Sequence, residues 1–489
     1  MANRARLIPP RPERNSWPWH HAKWASMSAA TLMAGDRRME AENYLAGGYG
    51  IRLALEARQT GWVRFGEVAQ IWQPNRLKGI QVSPQFGTPF LAATQVFDLR
   101  PVARKWLSLD RTGNAANRFV SSGMILVTCS GSVGRATMAH KPHEGMLISH
   151  DLLRVEAVRP EETGWIYAFL RSQQGRAMMT AAQYGHIIKH LEVAHMNALP
   201  FPVLRDGLRK YFSDKFQKIL DSRSAAFAGT VEAEKIYADQ FPSARNEPVT
   251  ENGFSVGSSE LLSSRRRLDA SSYAPAVRST IEAFKRHAVD IVALSSVADG
   301  VFVPGRFKHV YGDGGTPYLD SADILEVNPD VKKYVLSLSH EEQEEYRVEE
   351  NWILIPCSGQ VYGNIGHAVL STEWHQGKVL SNHIMRVCPS GSIRPGYLQC
   401  ALGHPRLGRP QLVRFAFGSS VPEISPDDVL GAVIPRLEDS VECRIADLME
   451  ESARSRDSAD ELEQAIAKEA EELIDQFLAG DLSSFAAGV

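Results

Sequence analysis

The chain has 489 residues, 44% of them hydrophobic and 23% charged, the balance of a folded globular protein that is too long for one ordinary core. No apolar run reaches the roughly eighteen residues of a membrane-spanning helix, and the polar, proline-containing start lacks the apolar core of a secretion signal. The five cysteines are an odd number without metal-binding spacing. We therefore expect a reduced, cytoplasmic protein without a metal or other cofactor.

The net charge of −3 is distributed unevenly along the chain. Residues 1–37 carry +4, residues 38–202 carry +6, residues 203–266 carry +1, residues 267–435 carry −4 and residues 436–489 carry −10. Basic surfaces attract polyanions and acidic surfaces repel them. The first half is therefore favoured for contact with nucleic acid, and the last segment for contact with a protein partner.

An internal repeat organises the sequence at an offset of about half the chain. Six short motifs recur in the same order, with offsets that drift only from 228 to 235 residues. The pairs are 38–41 (RMEA) with 267–270 (RLDA), 87–91 (GTPFL) with 315–319 (GTPYL), 125–131 (ILVTCSG) with 353–359 (ILIPCSG), 164–166 (GWI) with 396–398 (GYL), 184–185 (YG) with 417–418 (FG), and 199–200 (LP) with 434–435 (IP). The common order predicts a duplicated domain.

Each repeat ends in a stretch that predicts a long helix. Residues 203–241 contain no proline, and Leu208, Phe212 and Phe216 follow one apolar stripe. Residues 437–479 contain neither glycine nor proline, and their apolar residues keep near-heptad spacing. A helix of this length spans about 60 Å. Because each stripe must be buried, pairing the two helices is the simplest arrangement.

The remaining patterns divide the chain into segments. Short apolar runs between turn residues predict strands within each repeat, and helices are expected near Gly164 and Gly396. The stretch between the repeats is rich in Ser, Asn, Gly and Pro, as in a linker. The predicted segments are an N-terminal extension (1–37), a first α/β domain (38–202), a first long helix (203–241), a linker (242–266), a second α/β domain (267–435) and a second long helix (436–481).

This order of motifs resembles the specificity (S) subunits of type I restriction-modification systems. The family has a Pro-aromatic-aliphatic strand, seen here at 89–91 and 317–319, and an apolar strand entering a Ser/Gly turn, seen at 129–134 and 357–361. A Gly-aromatic helix start and an aliphatic-Pro step into the long helix follow in each repeat. The resemblance covers about residues 38–479 and depends on order and duplication rather than on any single motif.

The resemblance implies an α+β fold in which two pseudo-twofold-related α/β target-recognition domains are joined by two long antiparallel spacer helices. It implies a non-catalytic subunit that reads a bipartite target in double-stranded DNA, one half-site per domain, in restriction-modification or phage defence. DNA methyltransferase subunits would dock on the spacer helices, and a restriction or translocase subunit is a further partner. Helix length would then set the unread gap between the half-sites.

Base edges are read by side chains with fixed donors and acceptors, and phosphates are bound by Arg and Lys. Such residues lie in loops at comparable places of both repeats, with Arg76 and Arg306 at equivalent positions. The predicted DNA-binding residues of the first domain are Asn75, Arg76, Lys78, Arg100, Arg104, Lys105, Arg111, Arg118, Ser132, Arg135, His186 and Lys189, and those of the second are Arg306, Lys308, His309, Gln360 and Ser419.

Patterns that suggest catalysis are incomplete. Cys129 and Cys357 lack a matched base and are predicted to be small buried residues. The sequence 149–151 (SHD) does not keep its order in the second repeat, and 186–190 (HIIKH) has lysine where a zinc protease needs glutamate. The Asp/Asn-Pro-Pro-aromatic motif of a methyltransferase is also missing. We predict that catalysis resides in partner subunits.

Two alternatives stay open. A protein-interaction scaffold with duplicated α/β domains and no DNA role is favoured by the acidic second repeat, whereas the basic first repeat favours DNA. A cysteine or zinc hydrolase is disfavoured by the incomplete triad and metal spacings.

Overall fold

The computed structural model describes residues 47–76, 79–111, 115–184, 189–244, 253–263 and 267–486, together with the single positions 29, 33, 41 and 44. Most of the predicted N-terminal extension therefore lies outside the described residues. Within the part of the chain that is described, no helix combines the length and the apolar character needed to cross a bilayer.

The chain folds as two compact units. Unit 1 comprises Met1–Phe97, Pro101–Asp221 and Ala459–Val489, and unit 2 comprises Asp98–Arg100 and Ser222–Ser458. Each unit therefore contains one α/β repeat and a part of each long helix. The sequence had predicted the long helices as segments separate from the domains.

The helices with α geometry, numbered within the described residues, are α1 (Gly47–Glu56), α2 (Phe65–Val68), α3 (Thr163–Arg171), α4 (Gln173–Ala182), α5 (Val193–Asn197), α6 (Asp206–Asp239), α7 (Ser258–Ser263), α8 (Pro275–His287), α9 (His340–Glu344), α10 (Pro395–Gly403), α11 (Arg409–Val413), α12 (Pro426–Leu430) and α13 (Asp439–Ala479). The two long helices predicted from the sequence are α6 and α13. The short helix α7 lies within the predicted linker.

The strands, numbered in the same way, are β1 (Trp62–Arg64), β2 (Ala69–Trp72), β3 (Gln81–Val82), β4 (Thr88–Leu91), β5 (Lys105–Leu107), β6 (Ile125–Thr128), β7 (Ala136–Met138), β8 (Leu147–Ile148), β9 (Leu152–Ala157), β10 (Pro200–Pro202), β11 (Asp290–Ala293), β12 (Ala298–Phe302), β13 (Tyr311–Leu319), β14 (Lys333–Val335), β15 (Ile353–Pro356), β16 (Val369–Leu370), β17 (Val379–Leu380), β18 (Ile384–Pro389) and β19 (Val433–Arg436).

Equivalent strands are arranged in the same order in both units. Unit 1 has sheets of order β2-β9-β6-β7, β3-β5-β4-β8 and β1-β10. Unit 2 has sheets of order β12-β18-β15-β16, β14-β13-β17 and β11-β19. In each unit one pair is parallel, β4 with β8 and β13 with β17, and the other pairs are antiparallel. The α+β fold of two related α/β domains with long helices is confirmed.

The central strand of each unit is buried on both faces. All four residues of β6 are buried, and Ile125 and Val127 pack in a cluster with Trp165 from α3. Leu126, on the opposite face, packs in another cluster with Leu91 from the second sheet. Successive side chains of a strand point to opposite faces, so a strand covered on both sides must be apolar throughout. This explains the uninterrupted apolar run at the repeated ILVT and ILIP motifs.

Each unit buries parts of both long helices in its core. In unit 1, Phe216 from α6 and Ile466 from α13 belong to the same buried cluster. In unit 2, Tyr237 from α6 and Ile445 from α13 share a buried cluster. The predicted apolar stripes are therefore buried in the globular domains as well as between the helices.

The two long helices contact each other in antiparallel orientation. In unit 2, Gly229 lies against Ser452, and Glu232 pairs with Arg444 at 3.8 Å. The partner number falls as the residue number along α6 rises. In unit 1 the Tyr211 hydroxyl donates to Glu469 of α13 at 3.1 Å. The predicted antiparallel pairing is confirmed.

The repeated Gly-aromatic motif marks a close approach to the start of a long helix. A Cβ atom at Gly164 of α3 would lie 2.1 Å from the carbonyl oxygen of Phe212 in α6. A Cβ atom at the equivalent Gly396 of α10 would lie 2.6 Å from the carbonyl oxygen of Ala446 in α13. Glycine is therefore required in both places because backbone atoms occupy the space of a side chain.

Replacing either glycine should separate the packed helices. We expect Gly164→Ala and Gly396→Ala each to lower the free energy of unfolding by about 1–3 kcal/mol, the usual cost of overpacking, in urea unfolding monitored by circular dichroism. Gly207→Ala is a matched control, since Gly207 in the first turn of α6 has nothing within 4 Å of its would-be Cβ. It should leave stability unchanged or raise it slightly. Equal effects at Gly164 and Gly207 would contradict this account.

Candidate nucleic-acid interface

Two predicted DNA-binding elements of unit 1 meet at one end of the sheet β2-β9-β6-β7. They are the β2 loop (residues 73–76) and the Ser/Gly turn that follows β6 (residues 129–134). The Gln73 side-chain amide donates to the carbonyl of His150 at 2.9 Å and lies 3.2 Å from Cys129 Sγ. The Cys129 amide in turn donates to the carbonyl of Asp151 at 3.0 Å. The connection between β8 and β9 thus joins the loop to the turn.

The segment before α5 holds the other side of the turn. The Gly131 amide donates to the carbonyl of Lys189 at 3.0 Å, and the Leu191 amide donates to the carbonyl of Cys129 at 2.9 Å. Gly131 has φ +74°, a left-handed conformation that favours glycine. The turn is fixed by backbone hydrogen bonds, which leaves the exposed side chain of Ser132 available to a ligand.

Most of the predicted residues of unit 1 that the structure describes are accessible. Asn75, Arg76, Arg104, Lys105 and Ser132 are exposed, and Lys189 is half-buried. Arg104 and Lys105 lie at the start of β5 in the second sheet rather than at the loop-and-turn end. The half-buried Arg135 places its guanidinium 3.9 Å from the centre of the Phe97 ring. Lys78, His186 and the side chain of Arg111 lie outside the described residues.

Two of the predicted arginines form contacts within the chain. Arg118 is only 2% exposed, and its guanidinium donates to the main-chain carbonyl of Asn75. Arg100 belongs to unit 2, where it forms an ion pair with Glu234 of α6. Burial lowers the pKa of both guanidinium groups. Arg118 is too buried to reach a phosphate as it stands, and Arg100 is held by Glu234. Arg118 instead stabilises the β2 loop through its hydrogen bond to the carbonyl of Asn75.

Unit 2 repeats the backbone arrangement of the turn. The Cys357 amide donates to the carbonyl of His383, the Gly359 amide to Pro422, and the Ile424 amide to Cys357, each at 2.9 Å. These bonds match those of Cys129, Gly131 and Leu191 in unit 1, one for one. The second Ser/Gly turn (residues 357–363) is therefore built like the first.

The side chains around the second turn differ from those of the first. The Ser358 hydroxyl lies 2.9 Å from His383 Nδ1 and 3.2 Å from a carboxylate oxygen of Glu423. In unit 1 the equivalent Ser130 lies 3.4 Å from His190 Nδ1. Glu423 contacts the hydroxyl and not the imidazole, so the cluster lacks the contact that orients the base of a nucleophilic triad. It is a polar network of the turn.

The β12 loop (residues 303–310) presents the predicted cations of unit 2. Arg306, Lys308 and His309 are exposed. Phe307 anchors the loop edge-on against Tyr346, with ring centroids 4.7 Å apart. Partial burial lowers the pKa of His309, and the charges of Lys333 and His383 lower it further. The lowered pKa favours the neutral imidazole of His309, which can stack or hydrogen bond.

The other predicted residues of unit 2 lie at the second turn. Gln360 is exposed, and its side-chain amide donates to the carbonyl of Ser420 at 3.2 Å. Ser419 is exposed beside it. The contact brings the turn and the segment of Ser419 together, as Gly131 and Lys189 do in unit 1.

The described residues offer no metal site or activated nucleophile in this region. No group of three or more His, Cys, Asp and Glu side chains is placed to hold a metal ion in the described part of the chain. Burial raises the pKa of Cys129 to about 12 and that of Cys357 to about 11. Both cysteines are buried, as predicted. The Ser149 hydroxyl donates to Asp151 at 2.9 Å and not to a histidine.

Several carboxylates of α13 bind side chains of the α/β domains. Glu463 accepts a hydrogen bond from Tyr167 and pairs with Arg171 at 2.8 Å. In unit 2, Arg394 pairs with both Asp447 and Glu450. These carboxylates bind the helix to the domains, so the net charge of the last segment overstates the acidic surface left for a partner.

The sequence analysis missed two buried arginines in the sheets that carry these loops and turns. Arg154 in β9 and Arg386 in β18 are 0% exposed and occupy equivalent strand positions. The signal was an arginine at the same place in two equivalent strands, LLRVEA and IMRVCP.

No protein-family model and no curated protein sequence matches the chain. Among solved structures, the chain is similar to a type I restriction-modification S subunit from M. genitalium, at 14% identity and a TM-score of 0.31, over 88% of this chain and 98% of that one. It is similar to the HsdS subunit from Thermoanaerobacter tengcongensis at 14% identity and a TM-score of 0.26, over 86% and 97% of the two chains. These proteins are of the family that the sequence resembles.

The buried thiols should resist alkylation. At pH 8 we expect iodoacetamide to label Cys129 and Cys357 more than about a hundredfold more slowly than the exposed Cys443, because a raised pKa keeps them protonated and burial excludes the reagent. Peptide mass spectrometry measures the three rates, and urea should make them similar. Native labelling of Cys129 as fast as that of Cys443 would contradict the buried position and reopen the hydrolase alternative.

Proposed function

We propose that the chain is a non-catalytic DNA sequence-recognition subunit. It reads a bipartite target, one half-site per unit, and directs a partner DNA methyltransferase in a restriction-modification or phage-defence system. The observation that supports this proposal is the duplicated interface. The same Ser/Gly turn, held by the same backbone hydrogen bonds, lies at the same end of an equivalent sheet in both units, and a loop with exposed cations follows the edge strand at that end.

The side chains at these elements suit base and phosphate contacts. In unit 1 we assign Asn75 and Arg76 to base readout or phosphate binding, since Asn pairs with adenine and Arg with guanine or phosphate. In unit 2 we assign Arg306, Lys308 and Gln360 to the same roles. Because the two sets of side chains differ, each unit would read its own sequence. The other predicted residues that remain are Lys78, Arg104, Lys105, Arg111, Ser132, Arg135, His186, Lys189, His309 and Ser419.

Partner subunits complete the proposed assembly. The second repeat carries −4 overall, and its Lys333 pairs with Asp320 at 3.1 Å. Electrostatic neutralisation of phosphates dominates DNA affinity, so partners would supply much of it. We place the methyltransferase on α6 and α13 and treat a restriction or translocase subunit as a further partner. Catalysis would belong to these partners.

A protein-interaction scaffold is the second candidate. It is favoured by large apolar side chains on unit 2, where Tyr362 is 72% exposed, Phe417 56% and Val421 54%. The Gly359 amide bonds the segment that carries Phe417 and Val421, so the three lie around one turn. Exposed apolar groups of this kind often mark protein contacts.

Charge removal at the two loops distinguishes the candidates. We expect the purified chain to bind a 40-base-pair duplex of random sequence with an affinity that falls steeply with salt. Arg76→Ala and Arg306→Ala should each weaken binding by about five- to a hundredfold, and each should reduce the salt slope by about one if the residue binds a phosphate. Fluorescence anisotropy over a salt series measures both quantities, with and without a co-purified methyltransferase.

Arg454→Ala is the matched control. It removes the same charge from an exposed arginine of α13 that pairs with Glu451 at 2.9 Å, outside the proposed interface. In the preparation without methyltransferase, it should leave affinity and salt slope unchanged. Equal losses in all three variants would indicate a non-specific charge effect, and indifference to DNA in every preparation would favour the scaffold.

A further inference from the structure

The strongest unexplained feature of both units is a buried positive charge. Arg154 and Arg386 are among the largest fully buried side chains, each at 0% exposure. Among the described residues, neither guanidinium forms an ion pair with a carboxylate. Burial lowers the pKa of both to about 10, so both remain charged at neutral pH. A buried charge of this kind is costly, and hydrogen bonds from its two terminal nitrogens offset part of that cost.

In unit 1 that hydrogen bonding comes from main-chain carbonyls. The Arg154 guanidinium donates to the carbonyls of Ser149 at 2.8 Å, Leu152 at 2.5 Å and Ile148 at 2.9 Å, which lie in the β8–β9 connection or at the strand ends beside it. Its fourth acceptor is the carbonyl of Arg118 at 3.4 Å. Charge-assisted bonds to several carbonyls fix the path of the segments that carry them.

The same set of bonds exists in unit 2. The Arg386 guanidinium donates to Ser381 at 2.9 Å, to Leu380 at 3.0 Å, and to Ile384. Its fourth acceptor is the carbonyl of Tyr346 at 3.0 Å. Every acceptor in unit 1 has its counterpart here, 228 or 232 residues later in the chain.

Both networks end at the proposed DNA-binding loop. In unit 1, the Arg118 side chain donates to the carbonyl of Asn75, and His150 in the β8–β9 connection accepts from Gln73. In unit 2, the Tyr346 ring packs against Phe307 of the β12 loop. The side chain that joins the fourth acceptor residue to the loop therefore differs between the units. It is the guanidinium of Arg118 in unit 1 and the ring of Tyr346 in unit 2. The buried arginine behind it is the same.

We propose that Arg154 and Arg386 are positioning residues for sequence readout. Each locks the strand connection and one loop-contacting residue, Arg118 or Tyr346, so that the neighbouring loop meets base edges in a single conformation. This inference rests on the proposed DNA-recognition function. It assigns each buried arginine to the half-site read by its own unit, without contact between the arginine and DNA.

The test compares base preferences of the purified chain, with its methyltransferase where one co-purifies. Duplexes with a randomised 30-base-pair centre are selected for binding and sequenced. Arg154→Lys keeps the charge but cannot reach four carbonyls. We expect base discrimination to fall about tenfold or more in one half-site, because readout needs a loop held to fractions of an ångström. Arg386→Lys should do the same in the other half-site only.

A second measurement separates positioning from stability. Hydrogen–deuterium exchange without DNA should become faster in residues 73–76 for Arg154→Lys and in residues 303–310 for Arg386→Lys. Arg436→Lys is the control, because Arg436 pairs with Glu442 at 2.8 Å at the end of β19. It should lower stability without altering base preference. If Arg154→Lys does not fold, Arg118→Lys replaces it in the test. That change breaks only the hydrogen bond from the Arg118 side chain to the carbonyl of Asn75, and it should affect the same half-site.

The outcomes distinguish the inference from the function it rests on. Folded variants that keep both half-site preferences and normal loop exchange would overturn the inference while the unaltered chain still reads DNA. Loss of both half-sites in each variant would also overturn it, since it would show a general structural role. If the unaltered chain selects no sequence, the proposed function fails, and the exchange data alone decide whether the arginines hold the loops.

Discussion

The structure depends on a shared core: each unit is completed by a long helix that begins after the other repeat. Ile466 and Phe477 of α13 are buried in the core of unit 1, and Tyr237 and Phe241 are buried in that of unit 2. Burial of each such side chain contributes about 1.5–3 kcal/mol. Neither repeat therefore has a complete core of its own. Each α/β repeat is followed in the chain by a long helix, and each long helix contributes buried side chains to the cores of both units.

A fixed frame with exchangeable side chains suits recognition of different sequences. The backbone bonds at the two Ser/Gly turns match, yet Ser130 faces one histidine whereas Ser358 lies between His383 and Glu423. The loops differ in the same way, since one is held by Arg118 and the other by a tyrosine ring. Rigid elements that support variable loops can change what they bind without changing the fold.

The sequence was sufficient for features with local or periodic causes. The apolar runs predicted β6 and β15, and the apolar stripes predicted α6 and α13, because burial on fixed faces leaves a regular pattern. It failed where a distant contact decides. Helix α6 begins at Asp206 rather than at residue 203, because Leu204 forms a bridge with Phe485 near the end of the chain. Likewise, Arg118 was predicted to face DNA, but only the folded structure shows that Asn75 accepts its hydrogen bond. The buried arginines were detectable as arginines at matching positions of two equivalent strands.

The central claim is that two equivalent units bind two half-sites of one DNA molecule. Selection of randomised duplexes by the unaltered chain, together with any co-purified methyltransferase, tests it most directly. The account predicts two blocks of preferred bases separated by a constant gap, with unlike sequences in the two blocks because the loop side chains differ. A single block, two blocks at variable spacing, or no preferred bases would contradict it.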